Sequence, residues 1–301
     1  MLDFKISKLS DCFGIEISDI DLTNEFNNED INILKRLFFD NHVIVFRDQK
    51  ISEQQQLAFT KHFGELEVYP EADKTRDSQK TYHVANVNLD GKHLTDKDEQ
   101  VIFQKVNQNW HTDSSYRFIP SYASLLYAIE VLPDGAGGGE TEFVNMFEVY
   151  DSLDNELKIK LEPLHMVHYY EFGRRMFPNL PPVSDFEKEN IPPVSHPLIR
   201  LHPDRHNSRS LFFTANAGNE IGGMSQEKGS ILHKKLVAIV SNSNFKYKHR
   251  WKKGDLLMWD NRCLLHRAVS YDMNKYRRVL RRTTLAGTSA IKGPFLDPSI
   301  I

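Results

Sequence analysis

The chain has 301 residues, 40% apolar and 26% charged, with a formal net charge of −3. A chain of this length buries about three-quarters of its unfolded surface, so its core needs no disulfide framework, and Cys12 and Cys263 are too few to supply one. No basic face of the kind nucleic acid demands is evident, no apolar run approaches the ~20 residues of a membrane span, and the start, Met1-Leu2-Asp3-Phe4-Lys5, has no signal-peptide pattern.

In chain order, Asn28 is placed to cap a helix running to about residue 40, with Ile31, Leu34, Leu37 and Phe38 at helical spacing. His42-Val43-Ile44-Val45-Phe46 reads as a short buried strand. Ser52 and Gln55 form a capping-box pattern that opens a second helix, ending near Gly64. The polar stretch 69–109 reads as a long loop or lid holding one strand at 82–87. From Trp110 onward, short apolar or alternating segments recur at 123–131, 141–144, 198–201, 211–214, 255–259 and 278–285. Many short strands predict a sandwich or barrel. Helices are expected only at 147–161 and 227–241. The whole chain, 1–301, is expected to form one mainly β domain with flanking helices, in a reduced cytoplasmic setting.

Three segments carry chemistry. In extended Trp110-His111-Thr112-Asp113, residues 111 and 113 face one way, because side chains alternate along a strand. On its own, His-x-Asp is a weak signal. A second segment, the strand and turn 254–262 followed by Cys263-Leu264-Leu265-His266, adds another imidazole. His111, Asp113 and His266 together make a two-histidine, one-carboxylate set, which suits Fe(II) and leaves positions open for O2 and a co-substrate. The third segment is Arg277-Arg278 with Arg281-Arg282. Here Arg278 and Arg282 share a face and Arg277 and Arg281 share the other. Two guanidinium groups facing inward demand anions, so two acidic ligands are expected beside the metal. The run Gly137-Gly138-Gly139-Glu140-Thr141 permits a tight turn and places a hydroxyl that can donate to a carboxylate.

With these motifs the chain resembles the taurine dioxygenase family of 2-oxoglutarate-dependent oxygenases, and within it the branch that acts on aryloxyacetates. The likeness rests on Trp110-His111-Thr112-Asp113-Ser114-Ser115, Gly139-Glu140-Thr141-Glu142-Phe143, Met258-Trp259-Asp260-Asn261-Arg262-Cys263 with Leu265-His266-Arg267, and the arginine tail. Val45-Phe46-Arg47, Phe63-Gly64-Glu65-Leu66 and Asn86-Val87-Asn88-Leu89-Asp90-Gly91 extend it over nearly the whole chain. The resemblance implies a double-stranded β-helix, or jelly roll. It implies Fe(II) on His111, Asp113 and His266, 2-oxoglutarate held by Thr141 and Arg278, and O2 as oxidant. It also implies a small organic acid held by Arg282 with His202, and a homo-oligomer, dimer or tetramer. The implied reaction hydroxylates an aryloxyalkanoate, whose product collapses to a phenol and glyoxylate. Taurine, alkyl sulfates or another aliphatic acid are the alternative substrates, and a metal-binding jelly roll without redox chemistry is the distant one. The pattern departs from the family in the glycine turn at 134–139, in the spacing of the arginine strand from His266, at 117–120, and at Asn216, where histidine is expected. These departures border the substrate pocket.

Overall fold

The computed structural model describes residues 4–68, 80–88, 90–176, 182–205 and 208–294. Two antiparallel sheets face each other. The larger has seven strands in the order Lys5–Lys8, Ile15–Ser18, Val43–Phe46, Leu256–Asp260, Ala123–Glu130, Val279–Leu285 and Thr81–Ala85, with only the Ile15–Ser18/Val43–Phe46 pair parallel. The smaller sets Thr141–Asn145 between Lys246–His249 and Leu264–Ala268. This is the jelly-roll architecture expected from the motifs.

Alternation along the strands builds the layers. Val43, Val45, Leu126, Leu257, Trp259 and Leu280 of the large sheet meet Phe143 and Leu264 of the small one, and together they fill the space between the sheets. The intervening residues Ile44, Phe46, Leu125, Met258 and Leu285 pack outward beneath the helices Asn28–Asn41 and Glu53–Lys61. Both faces of these strands are covered, so they read as continuous apolar runs rather than alternating ones. Behind the small sheet, Val144 and Leu265 pack against Leu232, Leu236 and Val240 of the helix Gln226–Asn242.

Several local expectations shift. The first helix is capped by Asn27, one residue earlier than predicted, through its bond from Asp30 N. The capping box of Ser52 and Gln55 forms as expected. The predicted helix 147–161 is two helices, Met146–Asp151 and Asn155–Leu161, because Asp154 caps a fresh start at Leu157 N. In the stretch expected to be mostly loop, a helix forms at Glu99–Val106 and buries Val101, Ile102 and Val106. Its glutamines do not face water as their polarity suggested. Gln100 and Gln104 donate to the carbonyls of His83 and Ala85 at 2.8 and 2.7 Å, tying the helix to the edge strand. The rest of the lid expectation, at 69–79 and 89, lies outside the described residues. No helix among the described residues is long and apolar enough to cross a membrane.

Candidate active site

His111 reaches the site by joining the small sheet. Its N–H and C=O exchange bonds with His266 at 3.0 and 2.7 Å, so the two histidines lie side by side with ring centroids 4.2 Å apart. Asp113 is two residues on, and Ser114, at φ 53°, turns the chain away. The ligand-type atoms of His111, Asp113 and His266 all lie within 4.8 Å of one another, and all three residues are buried. His111 Nδ1 sits 2.8 Å from the Asn109 carbonyl, an anchor that leaves Nε2 for the centre. His266 Nε2 lies 3.9 Å from Asp113 Oδ1, and its ring packs on Phe143 and Trp259.

A polar network fixes the carboxylate. Ser124 Oγ donates to Asp113 Oδ2 at 2.6 Å and accepts from Asn261 Nδ2 at 3.0 Å, while Trp259 Nε1 donates to Asn261 Oδ1 at 2.9 Å. Arg282 Nη1 donates to Asp113 Oδ1 at 2.8 Å. Beyond Asp113, Ser114 and Ser121 donate to buried Glu67, and Arg117 forms an ion pair with it. The sequence had assigned no role to Ser124, Asn261 or Glu67. The one signal was a serine inside an otherwise apolar strand.

Electrostatics prepare this set for a cation. Burial, reinforced by the neighbouring His111, pushes the His266 imidazole down to about 3, and burial lowers that of His111, so both rings are neutral near pH 7. Burial alone would raise the carboxyl of Asp113, but Arg282 and the two histidines hold it well below the usual carboxylate range. Two neutral imidazoles and one ionised carboxylate, converging and buried, match the donor chemistry of a ferrous centre with open coordination positions.

Thr141 and Arg278 lie at one end of the same intersheet space. Thr141 Oγ1 accepts from Trp251 Nε1 at 3.1 Å, and the Arg278 guanidinium stands 5.8 Å above the Trp251 ring. Arg278 is 3% exposed, its Nε has no hydrogen-bond partner among the described residues, and burial pulls its pKa down to about 10. Arg281 faces away, bonding Gln56 and the Ile51 carbonyl, as the alternation predicted. The glycine turn earns its composition at Gly138. With φ 80°, it lies so close to the neighbouring connection that a Cβ would meet the Ser270 carbonyl at 2.0 Å.

His202 stands elsewhere. Its ring packs on Phe39 and Phe147, and Nε2 is 3.7 Å from Asp260, among His42, Cys263 and Arg262. The structure thus sets His202 in this cluster, where a carboxylate and aromatic walls surround a buried imidazole. His42, Asp260 and Cys263 also bring ligand-type atoms within 4.8 Å of one another. Arg262, however, takes both oxygens of Asp260 through Nε and Nη2 at 2.9 and 2.8 Å, and this suits an ion-paired strut more than a cation site. Asn216 accepts from Thr214 at 2.6 Å and donates to Asn107 at 3.4 Å.

Comparison with known proteins identifies the family. The family model described as taurine catabolism dioxygenase TauD, TfdA family matches residues 5–284. An alpha-ketoglutarate-dependent 2,4-dichlorophenoxyacetate dioxygenase of Cupriavidus pinatubonensis is 35% identical over 277 residues, covering 91% of this chain and 94% of that protein. An (S)-phenoxypropionate/alpha-ketoglutarate-dioxygenase of Sphingobium herbicidovorans is 28% identical and covers 95% and 96%. The crystal structure of AAD-2 with Mn(II) and N-oxalylglycine superposes with a TM-score of 0.85 at 34% identity, covering 97% of this chain and 99% of that one. The molecule is thus a 2-oxoglutarate-dependent dioxygenase, an oxidoreductase class that uses Fe(II), 2-oxoglutarate and O2 on small organic acids. The chain belongs to the TauD/TfdA family.

Proposed function

We propose that the chain hydroxylates an aryloxyalkanoate of the 2,4-dichlorophenoxyacetate type, with His111, Asp113 and His266 holding Fe(II), Thr141 and Arg278 holding 2-oxoglutarate, and Arg282 holding the substrate's acid group. The observation that carries this reading is that Arg282, within the strand Val279–Leu285, pairs with Asp113 of the triad, while Arg278, immediately before that strand, is buried beside Trp251, the residue that bonds Thr141. The relatives named for phenoxy acids support the substrate class. Bound at His111, Asp113 and His266, Fe(II) with 2-oxoglutarate would supply the activation of O2, one atom going to succinate and the other to the product, with release of CO2. The protein's own contribution is placement. Arg278 and the Thr141 hydroxyl grip the distal carboxylate. Arg282, paired with Asp113 at 2.8 Å and with 18% of its side chain exposed, pins the substrate's carboxylate. The carbon next to the ether oxygen then gains a hydroxyl. The resulting hemiacetal splits its C–O bond, the ether oxygen leaving with the proton as a phenol and the two-carbon acid as glyoxylate.

The chain is read as a single domain acting in the cytoplasm, a placement supported by its two free thiols, Cys12 and Cys263. It is also read as a homo-oligomer, dimer or tetramer, on the resemblance alone. Sedimentation tests the latter.

To test the substrate, protein is loaded anaerobically with Fe(II) and 2-oxoglutarate and given O2 with aryloxyacetates, aryloxypropionates, taurine or alkyl sulfates. Succinate formed one-for-one with phenol from an aryloxyalkanoate is expected. Coupling to taurine or an alkyl sulfate instead would overturn the substrate assignment. No succinate with any acid would overturn the site assignment too.

A further inference from the structure

Tyr271 lies in the connection between the strands Leu264–Ala268 and Val279–Leu285, and none of the roles described above uses it. Three features seat it beside Thr141 and Arg278. The strand register sets Ala268 opposite Thr141, and Val269 continues the ladder by bonding Gly139 and Glu140. Gly138 then packs directly on the Ser270 carbonyl and on Cα of Tyr271, where an added Cβ would approach to 2.0 and 3.2 Å. From the other side, buried Asn86 donates to the carbonyls of Met273 and Tyr276 at 2.7 and 2.8 Å and accepts from Arg278 N at 2.8 Å. One side chain thereby fastens the connection that carries Tyr271 to the start of the arginine strand.

Three donors gather here beside one carboxylate, Glu140, whose Oε2 is also buried without a hydrogen-bond partner among the described residues. The Tyr271 hydroxyl is buried and finds no hydrogen-bond partner among the described residues, and neither does Arg278 Nε. The two are electrostatically coupled. Trp251 already donates to Thr141 Oγ1, so the Thr141 proton is left to point at another acceptor. Glu140, one residue out of phase with Thr141 on the ladder, balances the charge of Arg278 without bonding it. A guanidinium, a phenol and a hydroxyl that all present protons are satisfied together by an anion with several lone pairs, and a carboxylate has that form.

We propose that Tyr271 is a third anchor for the distal carboxylate of 2-oxoglutarate, its phenol donating a hydrogen bond alongside Arg278 and Thr141, and that it strengthens the preference for this co-substrate over 2-oxo acids lacking that carboxylate. The inference rests on the reading that 2-oxoglutarate binds at Thr141 and Arg278.

The test is anaerobic titration of the Fe(II)-loaded protein with 2-oxoglutarate and, separately, with pyruvate, followed by the visible charge-transfer band and without turnover. Tyr271→Phe is expected to weaken 2-oxoglutarate binding about tenfold, the size of one hydrogen bond to a charged group, and to leave pyruvate binding unchanged. Equal 2-oxoglutarate affinity in variant and parent overturns the role of Tyr271 while leaving the co-substrate site intact, and so does an equal loss for both acids. A parent protein that gives no saturable band with 2-oxoglutarate overturns the underlying reading itself. A second measurement needs no substitution. In the Zn(II)-substituted protein labelled with 13Cζ-tyrosine, the Tyr271 resonance should move with 2-oxoglutarate and stay in place with pyruvate, and a resonance indifferent to both contradicts the proposal.

Discussion

The strand Leu256–Asp260 and the turn after it serve two buried clusters of similar composition. Trp259 packs against His266 of the triad, while the adjacent Asp260 sits with His42, Cys263 and His202. Each cluster offers histidine and aspartate at ligand spacing. They differ in what surrounds the ligands. In the triad, the carbonyl of Asn109 orients His111, Ser124 and Asn261 orient Asp113, and Arg282 takes a single oxygen through one N–H. In the other cluster, Arg262 takes both oxygens of Asp260, and His202 Nε2 lies 3.7 Å from the same carboxylate. Ligand-type residues close together do not by themselves make a metal centre. Outer partners that orient His111 and Asp113, and a carboxylate not locked by a chelating arginine, separate one cluster from the other.

The largest effects should fall on the triad. His266→Ala and Asp113→Ala are expected to abolish 2-oxoglutarate-dependent succinate formation, whereas Cys263→Ala should keep most of it. Assaying the three variants at saturating iron would break the comparison if Cys263→Ala were the inactive one. Next comes Arg278→Ala, which should raise the 2-oxoglutarate concentration needed for half-maximal rate by roughly a hundredfold, because it removes a buried charge-assisted contact. A change under threefold would mean that Arg278 faces no ligand.

A third prediction concerns stability. Burial pushes His42 and His196 down to about 4 each, from 6.5 in a peptide. The unfolded chain therefore binds protons below pH 6.5 that the folded chain refuses until about pH 4. Stability is complete above pH 6.5 and is lost as pH falls through this window, by roughly 3 kcal/mol for one such group. Urea unfolding at pH 7.5 and pH 5 reads this directly, and His196→Gln should flatten the slope. Smallest of the four, Ser124→Ala frees one oxygen of Asp113 and should weaken iron binding about tenfold without moving 2-oxoglutarate selectivity. An unchanged iron affinity would remove Ser124 from the supporting layer.

Much of the site was legible because alternation is a rigid rule. His111 and Asp113, two apart, converge as alternation requires, and Arg281 and Arg282, adjacent in one strand, turn to opposite sides. The architecture followed from short apolar strands, and Gly138 from the demand for close backbone approach. What stayed hidden depends on partners distant in sequence. Gln100 and Gln104 look like solvated residues until their amides meet the carbonyls of His83 and Ala85. Ser124 gains its role only when Asp113 arrives from another segment, and Asn86 only when the connection 273–278 folds back over it. The neighbours of His202 stayed hidden for the same reason, since nothing local indicates that its ring meets Asp260.

The most direct test is anomalous diffraction at the metal edge from crystals grown anaerobically with Fe(II) and N-oxalylglycine. One peak per chain, between His111, Asp113 and His266, is the expected result. A peak at His42, Asp260 and Cys263 with none at the triad would contradict the account.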